Sequence, residues 1–202
     1  METLDVTTTD LTKLETEILD LRENKTISLE YIKAIKEHDQ QALEYFERFG
    51  KTPRHRIMNL NSYRHALQYG FGELVFDEYG WLDNIRWLET ETICFPVNDT
   101  EKYSFNHIDV ACGKNRKWTY GLSYNYGSAG GGYSPNEFSI PYSSKEECVA
   151  AGVKDLKEHL QKTIDQATQR PDPTNYKLDY MKKVLQIIDT RMATKRQLTL
   201  FI

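Results

Sequence analysis

The chain has 202 residues, 39% of them hydrophobic and 12% aromatic, enough apolar material to build a core and too much for an intrinsically disordered chain. Its formal net charge of −4 excludes a global basic pull toward nucleic acid, yet it hides a gradient: residues 1–50 hold twelve acids and six bases, residues 145–202 eleven bases and eight acids. No run approaches the roughly 18 apolar residues of a membrane helix, Met1-Glu2-Thr3-Leu4-Asp5 is acidic where a signal peptide is basic, and Cys94, Cys112 and Cys148 make an odd set without CxxC spacing, so a cytoplasmic protein with no membrane partner is expected.

Leu11, Leu14, Ile18 and Leu21 recur at helical spacing until Asn24-Lys25. A longer helix is predicted from a Ser28 cap through Leu29, Ile32, Ile35, Leu43, Phe46 and Phe49, stopping at Gly50 and Pro53. Two amphipathic helices on a short turn form an antiparallel hairpin. From Lys51 to Gly72 the signals weaken, with "SYRHALQYG" readable as one short helix ended by Gly70.

From Glu73 the apolar period changes to two, in "GELVFDEYG", "IRWLETETICFPV" and "YSFNHIDVACG". The clearest strand follows, with Trp118, Tyr120, Leu122, Tyr124 and Tyr126 on one face. "CGKNRK" reads as the turn before it, "GSAGGGYSPN" as a flexible connection after it, and "EFSIPY" as a further strand with Phe138, Ile140 and Tyr142 on one face. Ser144-Lys145-Glu146-Glu147 spells a capping box for a helix buried along Val149, Val153, Leu156, Leu160 and Ile164. Asp172-Pro173 caps a last helix through Met181, Val184, Ile188 and Met192.

The fold class predicted is α+β: an N-terminal helical hairpin, an antiparallel β-sheet, and C-terminal helices packed on the sheet. The divisions expected are a helical region at 1–60, an α+β core at 61–170, a C-terminal helix at 171–193 and a docking tail at 194–202.

Two segments are candidates for binding. The aromatic strand face, preceded by Lys114, Arg116 and Lys117 and beginning with Trp118 and Tyr120, has the make-up of a platform for single-stranded nucleic acid; it also suits the core beneath the Val149–Ile164 helix. The tail "KRQLTLFI" sets Leu198, Leu200, Phe201 and Ile202 behind Lys195 and Arg196, and needs a surface either on the body or on a partner.

Gln197-Leu198-Thr199-Leu200-Phe201 resembles the bacterial sliding-clamp-binding peptide, Gln-Leu-(Ser or Asp)-Leu-Phe, with threonine in the small hydroxyl position. The resemblance implies that Leu200 and Phe201 enter an apolar pocket, that Gln197 binds by its amide, and that Lys195 and Arg196 meet an acidic rim. The alternative is a final edge strand or packing on the chain's own helices. "WTYGLSYNYGSAGGGYSPNEFSIPYSSKEECVAAG" resembles a module of uncharacterised phage and conjugative-element proteins. "SKEECVAAGVKDL" is similar to the last helix of a double-stranded RNA-binding domain, but Glu146 and Glu147 stand where that family places lysines for phosphate, so no site carries over.

Chemistry candidates are poor. Cys94, His107, Cys112 and Cys148 lack metal-site spacing; His55 and His65 lie among Arg54, Arg56 and Arg64, a basic surface; Asp77, Glu78 and Asp83 have nothing to separate their pKa values; and "GSAGGGYSP" lacks the Gly-Lys-Ser/Thr ending of a phosphate loop. No catalytic residue, metal or cofactor is assigned. The expectation is a non-enzymatic accessory protein of bacterial or mobile-element DNA metabolism that docks on the sliding clamp. The alternatives are a phage or plasmid inhibitor of a host defence nuclease, anti-CRISPR or anti-restriction in type, acting by protein binding through its acidic N-terminal helices, and a single-stranded nucleic-acid-binding module.

Overall fold

A computed structural model describes residues 15, 16, 18, 24–98, 106–127, 129–169 and 175–199, the last six by backbone alone. The chain divides into two units, Met1–Arg86 and Trp87–Ile202. Helices and an antiparallel sheet make it an α+β protein.

The first unit holds α1 (Lys25–Lys36), α2 (Gln40–Glu47) and α3 (Pro53–Ala66). Of the first helix of the expected hairpin, only Glu15, Thr16 and Ile18 are described, all helical; Leu11, Leu14 and Leu21 lie outside the described residues. The single helix expected from Ser28 to Phe49 is two. His38 takes a φ of 52°, a left-handed conformation that a helix cannot carry, and the Asp39 carboxylate accepts the Ala42 amide to cap α2. Ser28 is not a cap; it is fully buried inside α1. The bend brings Phe46 onto Tyr31, ring centroids 4.7 Å apart, and Ile18, Ile27, Ile57 and Leu60 close the core around them.

α3 begins well before the short helix read at Ser62. Its signal is Thr52-Pro53: the threonine oxygen accepts the His55 amide, and the proline occupies the first turn, where no donor is needed. A 3-10 turn, Leu67–Tyr69, ends it at Gly70, whose φ of 82° matches the predicted stop. The expected division at residue 60 therefore falls inside α3. Residues 72–80 do not form a strand. One antiparallel bridge, Phe76 to Leu82, flanks a turn in which Asp77 Oδ1 accepts the amides of Tyr79 and Trp81. This local capture outcompetes a ladder.

Asn59, buried on α3, ties the unit together. Its Nδ2 donates to the Phe49 carbonyl (2.7 Å) and the Gly80 carbonyl (2.8 Å), and its Oδ1 accepts the Leu82 amide (2.9 Å).

The second unit is a sheet in the order β1-β2-β3-β4, antiparallel throughout: β1 Glu89–Cys94, β2 His107–Cys112, β3 Trp118–Asn125, β4 Gly130–Tyr133. α4 (Lys145–Thr168) covers one face, burying Cys148, Val149, Val153, Leu156, Leu160 and Ile164 against Ile108, Val110, Trp118 and Leu122. Ser144 caps α4 by accepting the Glu147 amide; Glu147 reaches back to the Ser143 amide, one residue before the expected partner. α5 (Leu178–Thr199) adds Met181, Val184 and Ile188 to the same core, so the helix expected as a separate region at 171–193 packs as part of this unit.

The edge strand is a correction. β4 is the glycine run expected to be a flexible connection, whereas "EFSIPY" contributes only one bridge, Tyr142 to Trp118. Phe138 and Ile140 are 51% and 70% exposed, because Asn136 accepts the Phe138 amide and folds the segment into a turn. Glycine suits β4 because a Cβ at Gly130 or Gly132 would stand 2.4 Å or 2.3 Å from the carbonyl oxygens of Tyr124 and Leu122.

Replacing Asn59 by alanine strands the Phe49 and Gly80 carbonyls and the Leu82 amide. At about 1 kcal/mol per lost bond, more where the group stays buried, urea unfolding is expected to lose about 3 kcal/mol. A loss under about 1 kcal/mol contradicts the tying role.

Candidate functional site

The two segments singled out from the sequence fall in different settings. Trp118, at 9% exposure, belongs to the core under α4, with the Lys145 ammonium 5.3 Å from its ring centroid. Tyr120 is half-buried against the same helix. Arg116 pairs with Glu89 at 2.5 Å, Lys117 donates to Ser143 Oγ at 3.1 Å, and Lys114 is exposed on the turn between β2 and β3. The ring that would lead a stacking platform is thus inside the fold, and the adjacent arginine is matched by a carboxylate.

α5 continues the backbone as helix through Lys195, Arg196, Gln197 and Leu198 to Thr199. The side chains of those residues, and Leu200 and Phe201 entirely, lie outside the described residues.

What the fold does assemble is a cluster of tyrosines around α4. Position 152 has no side chain, and a Cβ there would stand 3.2 Å from the Tyr120 ring, so Tyr120 lies close against the helix. One turn on, Asp155 Oδ2 accepts the hydroxyls of both Tyr120 and Tyr133, each at 3.1 Å. The Tyr142 ring lies 5.9 Å from that of Tyr120. A further turn on, the His159 ring sits 3.8 Å from Tyr124, with Tyr126 stacked at 6.4 Å and Tyr176 beyond it.

Burial, then the neighbouring Tyr133 and Asp155, pushes the Tyr120 phenol far above its ordinary range. Burial followed by Asp155 pushes Tyr133 up to about 12. Burial followed by Tyr124 raises Tyr126. Phenols held neutral donate hydrogen bonds and offer ring faces; they are neither bases nor nucleophiles at neutral pH. The sequence reading missed Asp155, His159 and Tyr133. The signal was Gly152, Asp155 and His159 at three- and four-residue spacing, a second stripe beside the apolar one.

Cys94 and His107 are cross-strand partners on β1 and β2, and His107 Nε2 lies 3.3 Å from Asp109 Oδ2, whose other oxygen accepts the Thr92 hydroxyl. Cys112 and Cys148 lie apart from them in the core, where burial raises both thiols, Cys148 to about 12. Among the described residues no three metal-ligating side chains converge. Asp83 pairs with Arg86, which holds its carboxyl below the usual range. An open groove of about 520 Å³ runs between Val97–Asn98 and the Lys183, Ile187 and Arg191 positions of α5, with Arg191 donating to the Cys94 carbonyl. No helix among the described residues is long and apolar enough to cross a membrane.

Comparison with protein-family models, with curated proteins and with solved structures finds no match.

A phenol whose pKa is higher folded than unfolded stabilises the fold below its unfolded value, and that contribution disappears as pH rises through the folded one. Unfolding free energy is therefore expected to decline between pH 10, the ordinary tyrosine value, and about 12. Asp155→Asn, which keeps an acceptor and removes the charge, is expected to shift the Tyr133 phenolate absorbance to lower pH. Native phenols that all ionise together near pH 10 contradict the cluster.

Proposed function

We propose that this chain is a non-enzymatic accessory protein of bacterial or mobile-element DNA metabolism, recruited to the sliding clamp through Gln197-Leu198-Thr199-Leu200-Phe201. The observation that carries the reading is that order of five residues, with Lys195 and Arg196 directly before it. Docking in an extended form asks the backbone between Lys195 and Thr199 to leave the end of α5. Each residue that unwinds gives up the bond its amide donates to the carbonyl four residues earlier, about five bonds in all, each worth about 0.5–1.5 kcal/mol net and replaceable by bonds to the groove. Burying Leu200 and Phe201 contributes about 1.5–3 kcal/mol apiece, so the exchange favours docking with modest affinity.

A second reading has its own support. Tyr133, the last residue of β4, is 44% exposed, and Phe138 and Ile140 on the segment that follows are 51% and 70% exposed; exposed tyrosine with apolar neighbours is the composition of protein-binding surfaces. This favours an inhibitor that acts on a host protein by contact. Removing residues 194–202 abolishes the first activity and spares the second.

In calorimetry with a purified bacterial sliding clamp, Leu200→Ala with Phe201→Ala is expected to remove about 3–5 kcal/mol of binding energy while leaving the melting temperature unchanged. A large fall in melting temperature, with no clamp binding by the unaltered chain, ends the clamp reading.

A further inference from the structure

Between Arg48 and Gly72 the sequence holds no acidic residue and five cations: Arg48, Lys51, Arg54, Arg56 and Arg64. The structure divides them. Arg56 is bound inward to the Gly50 carbonyl, the Tyr31 hydroxyl and Glu47, and Arg64 to Glu30. Arg48, Lys51 and Arg54 are exposed, with no ion-pair partner among the described residues.

Arg48 and Lys51 lie on the segment that leads into α3 and Arg54 in its first turn, where the helix dipole adds positive potential. The surface there is built by two chain segments. Gly50 packs so tightly on His55 that a Cβ on it would come within 2.5 Å of the His55 Cβ, which holds the 48–51 turn against the helix. Asn59 holds the 77–81 turn to the same helix through the Gly80 carbonyl and the Leu82 amide. The second turn carries aromatic rings. Trp81 lies with its centroid 4.4 Å from the His55 ring and 5.9 Å from the Arg54 guanidinium carbon, and Tyr79, 71% exposed, stands at the tip. Of the nearby acids, Glu47 is matched by Arg56, while Asp77, which caps the turn by accepting two backbone amides, and Glu78 are exposed carboxylates that oppose the patch.

We infer that this corner of the first unit, formed by Arg48, Lys51, Arg54, Tyr79 and Trp81, is a binding surface for single-stranded nucleic acid. Unmatched cations placed beside the exposed Tyr79 ring and the half-buried Trp81 ring fit a phosphate backbone whose bases are free to stack, whereas duplex bases are already stacked on each other. The surface lies far in sequence from the strand face expected to serve as a platform, and it does not depend on the clamp reading, since the tail belongs to the other unit.

The test is fluorescence anisotropy of a labelled thymidine oligonucleotide with the full chain, titrated at several salt concentrations. The unaltered chain is expected to bind, more weakly as salt rises. Lys51→Glu with Arg54→Glu is expected to lower affinity at least tenfold at low salt and to reduce the salt slope by about 1.4, the share of two single-strand phosphate contacts. Tyr79→Ala, which removes one stacking ring, is expected to weaken binding about five- to hundredfold with little change in that slope. Lys162→Glu with Lys182→Glu, the same charge change in the other unit, leaves binding unaltered. Circular dichroism checks folding, and should the double reversal fail to fold, Arg48→Glu and Tyr79→Ala, both at exposed side chains, carry the same reading. No binding at low salt, an equal loss in the Lys162/Lys182 control, or tighter binding to a duplex of the same length each overturns the assignment.

Discussion

α4 can lie on the sheet as it does only because position 152 has no side chain. A Cβ there would come within 2.9 Å of Ile108 and 3.2 Å of Tyr120, and the helix would have to lift. Glycine in the middle of a helix costs about 1 kcal/mol relative to alanine. That cost is small beside the approach it permits, since Val149, Val153, Leu156 and Leu160 each contribute about 1.5–3 kcal/mol by leaving water against β2 and β3. The same approach decides the chemistry of the second unit: the residues that follow on that side of the helix, Asp155 and His159, land on Tyr120 and Tyr124. Packing and site are one constraint, and burial beneath the close helix is what raises the Tyr120 phenol.

The first unit solves a different problem. Its helices are short, and a large part of its order comes from polar side chains that reach across loops. Asn59 serves two carbonyls and an amide, Asp77 organises the 77–81 turn, and Arg56 joins the loop at Gly50 to α1 through Tyr31. Such residues bind backbone groups that no ladder or helix satisfies, which is the requirement buried loops must meet.

What could be read from the sequence follows from how far each signal reaches. The α4 stripe, its Ser144 cap and the Trp118–Asn125 strand are local patterns spanning many residues, and they stand in the structure. The break at His38 escaped because the apolar positions on either side keep helical spacing, and only Asp39, a cap inside an unbroken pattern, marks it. Glycine-rich β4 escaped because a strand's usual signal is side chains, and here closeness of backbones excludes them. The exposure of Phe138 and Ile140 escaped because alternation says which residues share a face and not whether anything covers it. Asp155 as the acceptor for two tyrosines from different strands is a tertiary fact, and no spacing within α4 names its partners.

Charge shows the same limit on a larger scale. Counted by segment, residues 1–50 carry a surplus of six acids, and the unit they open reads as a negative partner. The fold redistributes that charge. Glu15, Glu30 and Glu47 are matched to Lys36, Arg64 and Arg56 within the unit, while the acid-free stretch that follows leaves Arg48, Lys51 and Arg54 exposed between the end of α2 and the first turn of α3. A summed charge measures solubility and long-range drift, but at a Debye length of about 8 Å a partner at the surface meets only the few groups beside it. Which charges those are is set by the ion pairs the fold has already made, so an acidic segment and a cationic corner coexist in one unit without contradiction.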